Sequence, residues 1–192
     1  MRREQGRGTF VSKPKLDHGP RELTSFSQEM RRHRLTATSR VLERGEAGAS
    51  EQIAAALEVS PETPVFVLKR LRMADGEPVG IQTAYIPLAL APGIGDENLE
   101  NVSLYEILQT RWGLQPSNAR ETYFAVSAEA QISSLLRIAP ASPIFAVERV
   151  TSLASGKPFE FVQSFLRGGR YNVVLELAAN RAPQATREGG LH

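Results

Sequence analysis

The sequence predicts an α+β fold in which an antiparallel sheet is flanked by helices. Two observations support this prediction. Apolar segments occur in pairs joined by short turns at Asp75-Gly76-Glu77 and Ser155-Gly156-Lys157, as in β-hairpins. Segments with helical patterning lie between these pairs. With 192 residues, of which 41% are hydrophobic, the chain is long enough for one domain with a substantial core.

An internal repeat sets the order of these elements. Residues 52–70 align without a gap on residues 131–149, and seven of the nineteen positions are identical. The identical pairs include Arg70 and Arg149. Each copy has the pattern of a helix, a proline-containing turn, a strand, a glycine hairpin and a second strand. The sequence therefore predicts a pseudo-symmetric domain.

The repeat also predicts the element boundaries. We expect its helices at about 50–58 and 127–137, with Ser50 and Ser127 as N-caps. The strands are expected at about 65–74, 79–86, 144–153 and 159–167, with further strands at 117–126 and 171–177. The remaining helices are expected at about 27–34 and 103–112.

The composition excludes several kinds of site. There is no cysteine, so disulfides, thiolate nucleophiles and cysteine-ligated zinc are excluded. The three histidines are His18, His33 and His192, which does not favour a catalytic triad or a histidine metal site in the core. No apolar run reaches the roughly 18 residues of a membrane span. We expect a cytoplasmic, non-enzymatic domain with no cofactor, no metal and no membrane contact.

Charge is distributed unevenly along the chain. Residues 1–44 carry a net charge of +6, and residues 45–192 carry −4. A basic end on a mildly acidic body favours an end that approaches a polyanion. The alternative is a solvated basic tail.

Arg70 and Arg72 are the first candidate site residues. They lie two positions apart in a predicted strand, so they project from the same sheet face, whereas Leu71 and Met73 face the other side. Two adjacent guanidiniums repel each other unless they share an anion, which the planar fork of arginine binds well. The alternative is a solvent-facing strand with ordinary ion pairs.

Hydroxyl residues at two helix starts are further candidates. Ser25, Phe26 and Ser27 open one helix, and Ser103 and Tyr105 open another. Such starts can bind a phosphate or carboxylate, although plain N-caps are much more common. Glu160 is a third candidate, predicted on the face opposite the aromatic residues at 159, 161 and 165. Its alternative role is an ion pair with an arginine.

Five motifs in order resemble one family. They are Leu23-Thr24-Ser25-Phe26-Ser27-Gln28-Glu29-Met30, Arg70-Leu71-Arg72 with Asp75-Gly76-Glu77-Pro78, Ser103-Leu104-Tyr105, Gly156-Lys157-Pro158-Phe159-Glu160 and Arg167-Gly168-Gly169-Arg170-Tyr171. Together they resemble the UTRA effector-binding domain, the C-terminal part of GntR-type bacterial transcription regulators of the HutC subfamily. The resemblance covers about residues 21–177.

The N-terminal segment is similar to the wing hairpin of the family's winged helix-turn-helix. This similarity makes Arg3, Gly6 and Arg7 candidate DNA contacts. It implies a wing remnant with a linker at 1–20, the UTRA domain at 21–177 and a flexible tail at 178–192. We therefore expect contact with DNA only through a winged-helix domain that this chain largely lacks.

The resemblance implies a chorismate-lyase-like fold and a homodimer. In members that respond to sugar phosphates, it implies a phosphate site that maps onto Ser25, Phe26, Ser27, Arg70, Arg72, Ser103 and Tyr105. Gln82 and Glu160 map to the other, polar end of the effector. Three positions depart from the family pattern, because Gln82 replaces a Glu, Leu166 a Tyr and Gly169 an Asp. The first two departures fall in the part that would recognise an amino sugar.

These features together predict an effector-sensing and dimerisation domain that binds a small anionic metabolite. A sugar phosphate is the first candidate for this metabolite. The alternative is a small lyase on the same fold, in which Glu160 and an arginine would transfer a proton. A protein-interaction module without a small ligand would leave Arg70 and Arg72 unexplained.

Overall fold

The α+β prediction is confirmed by the computed structural model, which describes residues 2–3, 9–10, 16–18 and 23–174. The strands are β1 (Arg2–Arg3), β2 (Thr9–Phe10), β3 (Leu16–His18), β4 (Ala37–Gly48), β5 (Pro64–Ala74), β6 (Glu77–Pro87), β7 (Asn118–Ser127), β8 (Pro143–Ser152), β9 (Pro158–Arg167) and β10 (Tyr171–Val173). The helices are α1 (Phe26–Arg32), α2 (Glu51–Leu57), α3 (Leu104–Trp112) and α4 (Ala130–Leu136), with a 3-10 turn at Ile94–Asp96. None of the helices in these described ranges is long and apolar enough to cross a membrane.

Six antiparallel strands form the central sheet in the order β4-β5-β6-β9-β8-β7. The chain contains two successive copies of one unit, α1-β4-α2-β5-β6 and α3-β7-α4-β8-β9. The first copy supplies strands β4, β5 and β6 from one edge of the sheet inwards, and the second supplies the equivalent strands β7, β8 and β9 from the other edge. The two copies join where β6 pairs with β9. The internal repeat predicted from the sequence is therefore present, and it is longer than the aligned residues.

Unusual backbone conformations recur at equivalent positions of the two copies. Glu58 and Arg137, which are 79 residues apart, both adopt positive φ values, 54° and 52°, at the C-terminal ends of α2 and α4. Glu62 and Ala141 do the same in the following turns, with φ of 63° and 56°. The repeat therefore fixes the backbone even where the residue types differ.

The two faces of the sheet are covered by different helices. On one face, Leu71 and Ile81 pack with α4, and Val65 and Phe161 pack with α2. On the other face, Leu68 and Ala84 pack with α3, and Phe26 and Met30 of α1 pack in an adjoining cluster. Leu71 and Met73 share a cluster with Ile132 of α4, so they face away from Arg70 and Arg72 as predicted.

Two predicted helix starts were wrong. The N-cap of α1 is Ser25, and the helix begins at Phe26 rather than at residue 27. The N-cap of α4 is Glu129, whereas Ser127 is the last residue of β7. In both places several residues with capping potential lie close together, and at α4 the strand β7 extends through Ser127, so the helix begins after it.

Strand β4 was not predicted from the sequence. It is an edge strand of 12 residues, paired with β5, and Ser39 is its only buried residue. Because it buries so little, it lacks the apolar alternation that reveals a half-buried strand. Its equivalent β7 is the opposite edge of the sheet, so the repeat itself was the signal for β4.

Three further predictions concern the ends of the chain. Strands β1 and β2 pair antiparallel, which agrees with a hairpin in the segment similar to a wing, and Arg3 lies in β1. Gly6 and Arg7 lie outside the described residues, as does the predicted tail at 178–192. Strand β10 ends at Val173 and pairs in parallel with β3, so the predicted strand at 171–177 is confirmed only for its first part.

Candidate functional site

The nine residues that the sequence predicts at the effector site line one cavity. They are Ser25, Phe26, Ser27, Arg70, Arg72, Gln82, Ser103, Tyr105 and Glu160. Strands β5, β6 and β9 supply its floor, and the N-terminal ends of α1 and α3 lie over it. The cavity has a volume of about 40 Å³, which is room for about three water molecules.

Arg70 is buried beneath the loop that precedes α3. Its Nη1 donates to the carbonyl oxygens of Leu99 at 3.4 Å and Val102 at 3.1 Å. Burial lowers the pKa of Arg70 to about 10, and the carboxylate of Glu160 opposes this shift. The backbone carbonyls fix the position of the guanidinium without neutralising its charge.

Arg72 is held by neutral partners. Its Nε donates to Oε1 of Gln82 at 2.7 Å, and its Nη1 donates to Oγ of Ser39 at 2.6 Å. The guanidinium also lies over the ring of Phe26, 5.0 Å from the ring centroid. Burial lowers the pKa of Arg72 well below its ordinary value, and the neighbouring charge of Arg70 lowers it further. A bound anion would offset both effects.

Glu160 is 2% exposed and also lines the cavity. Its Oε2 accepts a hydrogen bond from Oγ1 of Thr151 at 3.2 Å, and that hydroxyl lies 3.1 Å from the hydroxyl of Tyr105. Burial raises the pKa of Glu160, although Arg149 opposes the shift. These contacts join α3 to strands β8 and β9.

The cap alternative proposed for the two serines also holds. The side chain of Ser25 accepts from the backbone N–H of Gln28 at 3.3 Å, in a capping box, and Ser103 accepts from Glu106 N at 3.4 Å. Both serines therefore cap helices and line the cavity. Ser27 lines the cavity from the first turn of α1.

Arg149 is a cavity residue that sequence reasoning missed. Its Nε donates to Oε1 of Glu121 at 2.5 Å, and Tyr123 donates to the same carboxylate. Burial alone would lower the pKa of Arg149, but Tyr105 and Glu121 raise it overall. The signal was present in the sequence, since the repeat aligns Arg149 with Arg70.

One predicted orientation near the site was wrong. Phe159 packs in the same cluster as Val162, which lines the cavity, and not on the opposite face. The cause is a β-bulge, because Thr151 pairs with Glu160 whereas Ser152 pairs with Pro158. Phe159 is the extra residue, and a bulge breaks the alternation of side chains.

Positive charge predominates in the cavity. The lining includes the guanidiniums of Arg70, Arg72 and Arg149 and the single carboxylate of Glu160. A buried excess of cationic groups that carry several N–H donors is suited to a compact anion with several acceptor oxygens. The chemistry of the cavity is therefore suited to a small anionic ligand.

A charged cavity on a sheet beneath two helix starts is typical of a domain that binds small molecules. The comparison with protein families agrees, since the model of the UTRA domain matches residues 32–172. The chain belongs to the UTRA domain family.

Similar proteins place the domain in a wider class. The chain is 30% identical over 172 residues to the HTH-type transcriptional repressor NagR of Bacillus subtilis (strain 168), covering 90% of this chain and 70% of NagR. Its fold is similar to PhnF from Mycobacterium smegmatis, with a TM-score of 0.80, 25% identity and coverage of 92% and 78% of the two chains. It is also similar to a GntR-family regulator from Enterococcus faecalis V583, with a TM-score of 0.65, 29% identity and coverage of 72% and 99%. The chain carries the effector domain of a GntR-type transcription regulator.

Proposed function

We propose that this domain binds a small anionic metabolite, a sugar phosphate or a similar phosphate ester, and that binding modulates the attachment of the regulator to DNA. The observation that carries the proposal is the state of Arg72, a buried guanidinium whose hydrogen-bond partners are the neutral side chains of Gln82 and Ser39. Leaving such a charge without an anion is costly. A phosphate group would supply charge-assisted hydrogen bonds to Arg70 and Arg72 together.

Each end of the ligand has its own partners in this proposal. The phosphate lies between the two arginines of β5 and the hydroxyls of Ser25, Ser27, Ser103 and Tyr105. Gln82 and Glu160 face the other end, where ligand hydroxyls can donate to the buried carboxylate of Glu160. Arg149 also lines the cavity, and Tyr105 is among the groups that raise its pKa.

The small volume of the cavity suggests how binding reaches the rest of the molecule. A hexose phosphate is larger than three water molecules, and α1 lies over the site with Ser25, Phe26 and Ser27, so we expect α1 to shift outward when the ligand binds. Helix α1 is also the helix nearest in sequence to the segment similar to a wing. We propose that a displacement of α1 carries the binding signal towards that segment.

We also propose a homodimer of the HutC type that works in the cytoplasm and is held together by the body of the domain. A regulator with twofold symmetry reads two half-sites, so its effector domain has to hold the two copies together. Light scattering on the chain and on a variant without residues 1–20 tests this. Both should be dimers, and a monomeric truncated variant would contradict the proposal.

Calorimetric titration with glucose 6-phosphate, inorganic phosphate and glucose tests the proposed ligand class. We expect glucose 6-phosphate to bind most tightly, inorganic phosphate to bind weakly and glucose not to bind. Glucose that binds as tightly as its phosphate ester would overturn the proposed anion site. So would the absence of binding by both phosphates.

A further inference from the structure

The two edges of the central sheet can be compared residue by residue. Strand β4 forms one edge and strand β7 forms the other, and the two strands are equivalent elements of the repeat. In β4, Glu43 lies opposite Lys69 of β5. In β7, the residue 79 positions later, Thr122, lies opposite Glu148 of β8. Because Lys69 and Glu148 are also 79 residues apart, the strand pairing confirms the equivalence.

The exposed end of β4 carries three charges. Residues 43–48 are all exposed. They are Glu43, Arg44, Gly45, Glu46, Ala47 and Gly48. Charged side chains on an edge strand oppose its pairing with another chain, and glycine is a poor strand former. The edge formed by β4 is therefore protected from association.

The equivalent end of β7 has no charge. It consists of Thr122, Tyr123, Phe124, Ala125, Val126 and Ser127. Aromatic and β-branched residues favour strands, and a six-residue run without charge, proline or glycine is typical of a segment that pairs with a further strand. In the described part of the sheet, β7 pairs with β8 alone, so its other side can accept another strand.

This end of β7 is also apolar at its surface. Phe124 is 44% exposed and Val126 is 37% exposed, and with Val174 they are the large exposed hydrophobic residues of the described ranges. Phe124 and Val126 lie two positions apart, so they project from the same face of the strand. A strand added at this edge would remove apolar surface from water, which favours association.

A second copy of this chain is the partner that fits such an edge. In a twofold pair, β7 would run antiparallel to its own copy, and each copy would use the same surface. No like charges would meet within residues 122–127, whereas a self-paired β4 would bring Glu43 and Glu46 close to the same carboxylates of the second copy. One open edge beside one protected edge also limits association to a closed pair, because an open fibre needs both edges.

We propose that the homodimer forms by antiparallel pairing of β7 with β7 of a second copy, through residues 122–127. This inference rests on the homodimer proposed above, and it assigns the surface that holds the two copies together. The two six-stranded sheets would become one continuous sheet with a protected β4 at each outer edge. Phe124 and Val126 of both copies would be covered.

The test introduces charge at Phe124. Phe124→Glu and Phe124→Lys each place like charges in the two copies, and Gly45→Glu is the matched control at the equivalent position of β4. A side chain fits at Gly45, since a Cβ there would meet no atom within 4 Å. Sedimentation equilibrium on the full chain measures the dissociation constant of the dimer. A melting curve for each variant verifies that it is folded.

We expect the unaltered chain and Gly45→Glu to be dimers with similar dissociation constants. Each Phe124 variant should raise the dissociation constant about a hundredfold or more, because it loses the covered rings and brings like charges together. An equimolar mixture of Phe124→Glu and Phe124→Lys should recover the dimer, since opposite charges then meet across the pair. Recovery would also exclude misfolding as the cause of the dissociation.

The negative results have different meanings. Unchanged dimers in both Phe124 variants would refute the β7 interface and leave the homodimer itself standing. Variants that dissociate both alone and in the mixture would show that the two β7 strands do not face each other. A larger loss in Gly45→Glu than in the Phe124 variants would assign the interface to β4. A monomeric unaltered chain would refute the proposed homodimer, and this inference with it.

Discussion

Arg72 and Gln82 are joined by a 2.7 Å hydrogen bond from the guanidinium Nε to the amide Oε1, diagonally across the β5–β6 hairpin, in which Gln82 pairs with Arg70. The cation of this pair is buried, and its partner is neutral. A carboxylate at residue 82 would neutralise Arg72 from within the protein. The amide leaves that charge available to a ligand, and this relationship makes the site testable by single substitutions.

The substitution Gln82→Glu should stabilise the protein without ligand and weaken its binding of phosphate. The new carboxylate would pair with Arg72 and raise the pKa of that guanidinium, which burial now lowers. We expect the free energy of unfolding to rise by about 1 kcal/mol, and the affinity for glucose 6-phosphate to fall about tenfold. Denaturant unfolding and calorimetry measure the two effects.

The matched control for that substitution is Gln109→Glu. It adds the same charge at an exposed position of α3, away from the cavity. It should leave both quantities unchanged. If the two variants behave alike, the effect is one of net charge rather than of the Arg72 pair.

Removing the Arg72 side chain should cost binding and spare the fold. The loss of charge-assisted hydrogen bonds, typically worth about 1.5–3 kcal/mol, weakens glucose 6-phosphate about tenfold to a hundredfold in Arg72→Ala. The fold should persist because the change also removes one of two adjacent buried cations. Arg120→Ala, on an exposed position of β7, is the control and should bind normally. Equal affinities in the two variants would assign Arg72 a structural role.

The stabilisation that glucose 6-phosphate gives should decrease at alkaline pH. Burial lowers the pKa of Arg70 to about 10 in the folded chain without ligand. As pH rises through this value, the folded protein releases a proton that the unfolded chain keeps, so the unliganded fold gains stability relative to the unfolded chain. The phosphate binds the charged form of Arg70, so it loses this partner when the guanidinium releases its proton. The phosphate ester is a dianion throughout this range.

Thermal unfolding with and without glucose 6-phosphate between about pH 8 and pH 11 measures this decrease. The increase in melting temperature caused by the ligand should be constant near pH 8 and should diminish as pH approaches 11. An increase that is independent of pH over the whole range would mean that Arg70 does not contact the phosphate.

Local rules were sufficient to predict the hairpins and the two central arginines. Asp75 and Gly76 both have positive φ, as the paired left-handed residues of a tight hairpin turn require, and Gly156 has φ of 84° in the second hairpin. The two-residue period of β5 placed Arg70 and Arg72 on one face without further information. Their convergence with α1 and α3 depended on the family resemblance, because long-range packing is not visible in local patterns.

Other features depended on relationships between distant segments. Ser39 reaches Arg72 only because β4 pairs with β5, and the polar sequence of β4 gives no strand signal. Arg149 enters the cavity because the second copy of the repeat faces the first across β6 and β9. Phe159 moved to the other face because of a bulge whose cause lies in the register of two strands. Applying the repeat to every element would have found the first two.

The repeat also predicts how α4 can be stabilised. Ser50 and Glu129 are equivalent N-caps with nearly the same backbone, φ −61° and ψ 166° against φ −65° and ψ 161°. Ser50 accepts a hydrogen bond from the N–H of Ile53, whereas Glu129 makes no side-chain cap hydrogen bond. We therefore expect Glu129→Ser to raise the free energy of unfolding by about 0.5–1 kcal/mol, and Ser50→Glu to lower it by a similar amount.

Denaturant unfolding measures both, and Glu129→Gln, which removes the charge without adding a short hydroxyl, is the control. An effect of Glu129→Gln equal to that of Glu129→Ser would attribute the gain to charge, and the cap explanation would be wrong.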